Sequence, residues 1–234
     1  ASSRGAGGTT ARSRRRARRR SSGRRLFAFD RRLGYRLVAG ADEAGRGCLA
    51  GPIVAAAVAL DFRSWRDADF AALDGLDDSK KLTRAGREEL YGGVLDRAAR
   101  VAVVSCSPAS IDGRGLHVCN LYALGRALEM LGPVDGPAFV DGFPLKTCAV
   151  PHEALVGGDG RSAAVAAASI VAKVTRDRLM IALHERFPQY GFDEHVGYSC
   201  PAHRQAIVEH GASELHRLSF ASVAYQQLGL VLEP

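Results

Sequence analysis

The chain has 234 residues, of which 47% are hydrophobic and 24% charged, enough apolar material for one large core or two small ones. No apolar run approaches the roughly 20 residues of a membrane-spanning helix, and the N-terminus lacks the apolar stretch of a secretory signal, so a cytoplasmic protein with no membrane partner is expected. Five scattered cysteines (Cys48, Cys106, Cys119, Cys148, Cys200) form no C-x-x-C pair, which argues against a disulfide framework or a cysteine-rich zinc site. Cys200 and His203 make the nearest approach to a ligand pair and read instead as helix-surface residues.

The net charge of +7 is local. Residues 1–25 hold ten arginines and no acid, whereas the remainder carries 22 basic and 25 acidic residues. The Arg-rich segment has almost nothing to bury. It is expected to be a disordered tail, drawn to nucleic-acid phosphates or simply solvated. Residues 26–234 are expected to form a single domain with a short helical segment at its C-terminal end.

In chain order, Leu37–Ala41 reads as a buried strand, and Ile53–Leu60 as its hairpin partner after the Gly51-Pro52 turn. Residues 61–82 read as a polar loop. Thr83 caps a helix to about Arg100, and Val101–Ser105 is a strand. Pro108 to Gly132 reads as a short helix and then a longer one, with leucines at helical spacing. Ala138–Val140 is a short strand ending at Asp141-Gly142. Ser162 caps a long helix, Ala163–Phe187, which Pro188 stops, and Ala202–His210 is a further helix closed by Gly211. Strands and helices in this order, with an early hairpin, argue an α/β fold with a mixed central β-sheet flanked by helices.

The acids fall at element ends. Asp42 and Glu43 close the first strand, Asp141 closes a later one, and Asp159 precedes the long helix within Gly157-Gly158-Asp159-Gly160. Loops at one edge of an α/β sheet bring such side chains together. Gathered carboxylates repel unless a cation intervenes, and hard oxygen donors select Mg²⁺ or Mn²⁺, two of which serve phosphodiester chemistry. Neighbours on a regular strand point to opposite faces, so Asp42 and Glu43 reach one site only if the strand ends between them. Gly45-Arg46-Gly47 follows at once, a turn suited to holding a phosphate, though the spacing is not that of a P-loop.

The residues from Val38 to Pro52, with Asp42-Glu43-Ala44-Gly45-Arg46-Gly47 at their centre, resemble the signature of the ribonuclease HII (type 2 ribonuclease H) family of bacterial type. Asp78-Ser79-Lys80-Lys81-Leu82, Val140-Asp141-Gly142 and the run from Ala168 to Arg178 resemble its later blocks. His195, Gly197-Tyr198, His203 and His216-Arg217-Leu218-Ser219-Phe220 resemble its closing motifs. The resemblance covers about residues 33–221. It implies a ribonuclease H-like fold and hydrolysis of the RNA strand of RNA–DNA hybrids. It also implies incision 5′ of single ribonucleotides in duplex DNA, leaving a 3′-hydroxyl and a 5′-phosphate, as in ribonucleotide excision repair. Its two catalytic ions, Mn²⁺ or Mg²⁺, fall to Asp42, Glu43, Asp141 and Asp159, and the enzyme is expected to act as a monomer. Gly45, Arg46 and Gly47 match the turn that reads the ribose 2′-hydroxyl, largely through backbone groups, the feature that separates RNA from DNA. Tyr198 matches a tyrosine that packs on the next deoxyribose, and Ser79 and Lys80 match residues near the substrate backbone. Two departures stand out. Gly158 occupies a position where relatives often carry lysine, which leaves Asp177 a competing fourth acid. The chain also stops fourteen residues after Phe220, where many relatives extend further. The basic tail is expected to supply grip in their place. A non-catalytic nucleic-acid binder and a different two-metal phosphoesterase remain open alternatives at this point.

Overall fold

The computed structural model describes residues 11–77, 79–220 and 223–229. Asp78 and residues 1–10 of the tail lie outside them. The strands are β1 (Leu37–Ala44), β2 (Ile53–Asp61), β3 (Ala98–Cys106), β4 (Ala138–Asp141) and β5 (Glu153–Leu155). They form a sheet in the order β3-β2-β1-β4-β5, with β1, β2 and β3 antiparallel and β4 and β5 running parallel to β1. The expected mixed sheet flanked by helices is therefore observed. Every residue of β2 is buried. An unbroken run of Ile, Val, Ala and Leu there reflects a strand covered on both faces rather than an alternating one.

Two cores result. On one face, β1 and β2 pack against α6 (Ala163–His184), together with α1 (Ala11–Arg32) and α3 (Arg84–Arg97). On the other, they pack against α5 (Leu116–Leu131), which follows the short α4 (Pro108–Arg114). Helix α6 crosses β1 at Gly40, where a Cβ would lie 2.2 Å from the Val165 backbone nitrogen. Only glycine admits so close an approach of helix to strand.

Several boundaries differ from the sequence reading. The stretch 61–82 is not a plain loop: it holds α2 (Asp67–Ala72) and a 3₁₀ turn at Ser79–Lys81. Helix α6 stops at His184, and Pro188 opens a separate 3₁₀ turn. Strand β1 runs through Asp42 and Glu43 to Ala44 instead of ending between them, because both residues pair in register with Ala56 and Ala55 of β2. The segment 11–25, expected as disordered tail, is drawn as the first part of α1, and Ser22 is already buried ahead of the expected boundary at residue 26. Apolar Leu26 and Phe27 anchor this helix to the first core.

The anchor also has a polar part. Asp30, fully buried on α1, accepts from the Ala164 N–H in the first turn of α6 at 3.0 Å, and Ser162 caps the same turn by accepting from Val165 N–H. One carboxylate, 134 residues away in sequence, thus satisfies an otherwise orphan donor of the long helix. Burial pushes Asp30 up to about 7, against the opposing hydrogen bonds from Ala164, Ser162 and Ala163. A carboxyl whose folded pKa is raised holds its proton more tightly in the folded state. Its cost to stability therefore grows as pH rises from near 4 to near 7 and is constant above, reaching about 4 kcal/mol. Asp30→Asn keeps an acceptor and removes the charge. The urea midpoint of this variant relative to the parent is expected to climb between pH 5 and pH 7 and to level off above; a pH-independent difference contradicts the assignment.

Candidate active site

Alternation along β1 sends its two acids to opposite faces of the sheet. Asp42 lies on the α6 face, where Ser169 favours its charged form, whereas Glu43 lies on the α5 face, where Asn120 does the same. Both acids nonetheless feel Asp141, which ends β4, the parallel neighbour of β1 paired through Ala41 and Val140. The three acids stand at or near the ends of two adjacent strands, within electrostatic reach of one another. Asp42 is 6% exposed, and its Oδ1 also accepts the Glu43 N–H at 2.7 Å.

The electrostatics of the group are unfavourable as it stands. Burial, then repulsion from Glu43 and Asp141, pushes Asp42 well above the usual carboxylate range. Burial also raises Glu43, with Asp141 adding to the shift and the Arg46 guanidinium opposing it. Arg46 Nη1 lies 3.4 Å from Glu43 Oε1, a weak contact on an exposed arginine. The donors are all carboxylate oxygens, the set that suits a hard divalent cation. Among the described residues, no group of three or more His, Cys, Asp or Glu side chains stands as a ready-made metal cage.

Asp159 belongs to the same edge. It sits in the 3₁₀ turn Gly158–Gly160 just before α6, half-buried, next to the Gly158 N–H that donates to Asp141 Oδ1 at 2.6 Å. A Cβ at Gly158 would lie 3.4 Å from that oxygen and only 3.1 Å from Val165 Cγ1, so a side chain there crowds the turn. Asp177 faces different partners: Lys173 Nζ at 2.7 Å and Arg87 Nη2 at 3.9 Å.

The Gly45-Arg46-Gly47 turn follows β1 directly. Gly45 is buried with φ +97°, a conformation that disfavours side chains, and a Cβ there would meet the Arg176 side chain at 2.1 Å. Arg46 and Gly47 are exposed, and a Cβ at Gly47 would meet open space. The turn's carbonyls are taken up from within: that of Gly45 accepts from Cys48 N–H at 3.4 Å, and that of Arg46 from the buried Arg217 Nη1 at 3.1 Å. Tyr198, 39% exposed, joins this turn through an antiparallel bridge with Cys48. Its ring lies 5.0 Å from Lys173 Nζ and 5.9 Å from the Arg176 guanidinium. Ser79 is buried and accepts from Ser169 Oγ at 2.9 Å, while Lys80 is exposed.

The closing motifs support Tyr198 from behind. His203 Nδ1 meets the Tyr198 carbonyl at 2.9 Å and so carries a proton there. His216 Nδ1 accepts from Ser213 N–H, leaving His216 Nε2–H to donate to His203 Nε2 at 3.1 Å. Burial lowers both imidazoles to about 4, in keeping with this neutral relay. His203 is thus a core residue, correcting its reading as a surface position. Cys200 caps the helix Pro201–His210 by accepting the His203 N–H. All five cysteines are free thiols.

Three acids at two parallel strand ends, Asp42 buried and Glu43 and Asp141 half-buried, thus lie beside a glycine turn bridged to an exposed tyrosine. The family model described as Ribonuclease HII matches residues 39–223. The chain belongs to the ribonuclease HII family. It is 48% identical over 202 residues to Ribonuclease HII of Salinispora arenicola, covering 85% of this chain and 73% of that one. It is 47% identical over 206 residues to Ribonuclease HII of Burkholderia ambifaria, covering 88% and 92%. Among solved structures, ribonuclease H2 from Pyrococcus horikoshii superposes with a TM-score of 0.68 at 27% identity, over 83% of this chain and 98% of that one. The RNase HII of the PCNA:RNase HII complex from Archaeoglobus fulgidus gives 0.67 at 30% identity, over 80% and 96%. The sheet is accordingly that of the ribonuclease H-like fold, and the protein is a ribonuclease H, a hydrolase of a family that degrades the RNA of RNA–DNA hybrids. Among the described residues, no helix is long and apolar enough to cross a membrane.

Ribonuclease HII membership leaves Asn120, Ser169 and the buried arginines to be recognised from the structure. Ser169, Lys173 and Arg176 stand four and three residues apart, a polar stripe in an otherwise Ala- and Val-rich helix, and that stripe is the signal that could have marked them. Asn120 has no such marker. It is 1% exposed, its Oδ1 finds no partner, and its side chain favours the charged form of Glu43. Truncating Asn120 to alanine is expected to lower kcat about tenfold, roughly 1.4 kcal/mol, through a misplaced Glu43. Steady-state kinetics on an RNA–DNA hybrid beside a melting curve checks this; a change within twofold removes Asn120 from the site.

Proposed function

We propose that this ribonuclease H incises 5′ of single ribonucleotides embedded in duplex DNA, as well as cutting RNA–DNA hybrids, with two divalent ions, Mn²⁺ or Mg²⁺, held by Asp42, Glu43, Asp141 and Asp159. The observation that carries the reading is the convergence of Asp42, Glu43 and Asp141 beside the Gly45-Arg46-Gly47 turn and Tyr198. The acids are held together against their own repulsion, a cost that binding of hard cations offsets. When bound, such ions supply an activated water and charge stabilisation at the phosphodiester.

The chain's own residues do the rest. Ser169 and Asn120 orient the two β1 carboxylates from opposite faces. The exposed Gly47, between Arg46 and Cys48, presents backbone at which a ribose 2′-hydroxyl is read, and the exposed Tyr198 offers a ring face to the next sugar. Arg46 is drawn from Glu43 to the substrate phosphate, a move favoured by the exposure of its guanidinium and the 3.4 Å length of its present contact. Lys80, exposed beside the buried Ser79, extends this surface towards the nucleic-acid backbone. The protein acts as a monomer in the cytoplasm on this reading.

The test offers a DNA duplex bearing one ribonucleotide beside an all-DNA duplex, with Mn²⁺ or Mg²⁺. A single cut 5′ of the ribonucleotide is expected, abolished in Asp42→Asn and reduced less severely in Arg46→Ala, since backbone groups carry much of the ribose contact. Comparable cleavage of all-DNA, or an active Asp42→Asn, overturns the proposal. The basic segment is assigned to non-specific grip on the duplex. Deleting residues 1–21, which leaves Ser22–Arg32 on the body, is expected to weaken binding and flatten its dependence on salt; an unchanged slope of log Kd against log salt excludes that role.

A further inference from the structure

We propose that Arg176, in the middle of α6, is the positioning residue that locks the ribose-reading turn and the Tyr198 ring into one rigid recognition unit. The inference rests on the reading of that turn and ring given above.

Arg176 is fully buried, yet among the described residues no carboxylate pairs with it; the neighbouring Asp177 is taken by Lys173. Its guanidinium donates instead to three backbone carbonyls, each at 2.9 Å. Nε serves Pro52, Nη2 serves Ala50 and Nη1 serves Val196. The first two close the loop between β1 and β2 that begins with Gly45-Arg46-Gly47. The third precedes Gly197-Tyr198. A planar fork can hold three carbonyls in fixed directions, whereas a lysine ammonium on a flexible stem cannot reproduce that geometry.

Two further observations make the contact more than packing. Val196 has φ +45° and is the one non-glycine residue among those described with a positive value. For a β-branched residue this is a true outlier, and such strain persists only where surrounding contacts over-determine it. The carbonyl of this strained residue is the one Arg176 holds. On the other side, Gly45 leaves room for the guanidinium that any Cβ would fill. The Tyr198 ring then sits above the same guanidinium at 5.9 Å, and Leu49 N–H donates to the Gly197 carbonyl at 2.9 Å, closing turn against turn. Arg176 therefore sets the backbone on both sides and the underside of the ring. Ribose and deoxyribose are then probed by groups of fixed separation.

The test uses the full chain with three variants: Arg176→Lys, Val196→Gly, and the two combined. Arg176→Lys is expected to raise KM for the single-ribonucleotide duplex at least tenfold while leaving the Kd for all-DNA duplex within twofold. A merely structural lesion would reduce the active fraction, and so apparent kcat, without moving KM. Glycine accepts φ +45° freely, so adding Val196→Gly to Arg176→Lys is expected to recover most of the lost KM, whereas Val196→Gly alone changes it less than threefold. A folded Arg176→Lys with KM within threefold of the parent overturns the inference. So does a double variant that is folded and unrescued, or a failure of both Arg176→Lys proteins to fold, which would make Arg176 a general folding residue. If the parent itself does not cut the ribonucleotide duplex, the functional reading fails instead, an outcome separate from all of these.

Discussion

At Gly40 helix α6 lies on β1 with no side chain between them, and the site depends on that contact. Gly40 lets the Val165 backbone come within the distance a Cβ would occupy. From that crossing the helix runs along the strand, so Ser169 reaches Asp42, Lys173 lies under the Tyr198 ring, and Arg176 reaches the loop beyond β1. A larger residue at position 40 would lift the helix and move all three together. Packed interiors transmit such shifts because they have little free volume. The tertiary cap from Asp30 and the local cap from Ser162 fix where the same helix starts.

The site built on this frame is held in an electrostatically costly state. Three acids converge where burial and mutual repulsion raise Asp42 and Glu43. Natural structures keep such arrangements at functional sites, where the cost is offset by ligands. The protein sets neutral polar groups, Ser169 and Asn120, and the exposed cation Arg46 beside the acids. The stronger cations nearby are committed elsewhere: Arg176 and Arg217 spend their guanidinium groups on backbone carbonyls. They stiffen the recognition loop without neutralising the carboxylates, which leaves the acids available to metal.

Alternation along β1 shows how much a sequence pattern says and where it stops. Adjacent Asp42 and Glu43 suggested a shared site only if the strand ended between them. The strand continues, and the pair is divided between the two faces; Asp141, from the parallel neighbour, is the carboxylate that meets both. The early hairpin, the helix caps at Thr83 and Ser162 and the acids at strand ends were legible because each depends on residues a few positions apart. Helix α1 was missed in part because its Arg-rich half lacks apolar periodicity, and β5 because three residues are too short to show a pattern.

The sequence by itself determined the chemistry of the site: which acids exist, that they precede glycines, that a Gly-Arg-Gly turn follows the first pair, and that the blocks of the ribonuclease HII family occur in order. It determined, too, that the basic charge belongs to the N-terminal segment. Only the tertiary structure decided which face each carboxylate addresses, that Asn120 serves Glu43, that Asp30 caps α6, and that Arg176 binds carbonyls rather than an acid. The physical reason is range. Arg176 meets its partners in the β1–β2 loop across 124 and 126 residues, and Asp30 meets Ala164 across 134. Contacts of that span are set by how the sheet and α6 pack, and they leave no periodicity or spacing along the chain.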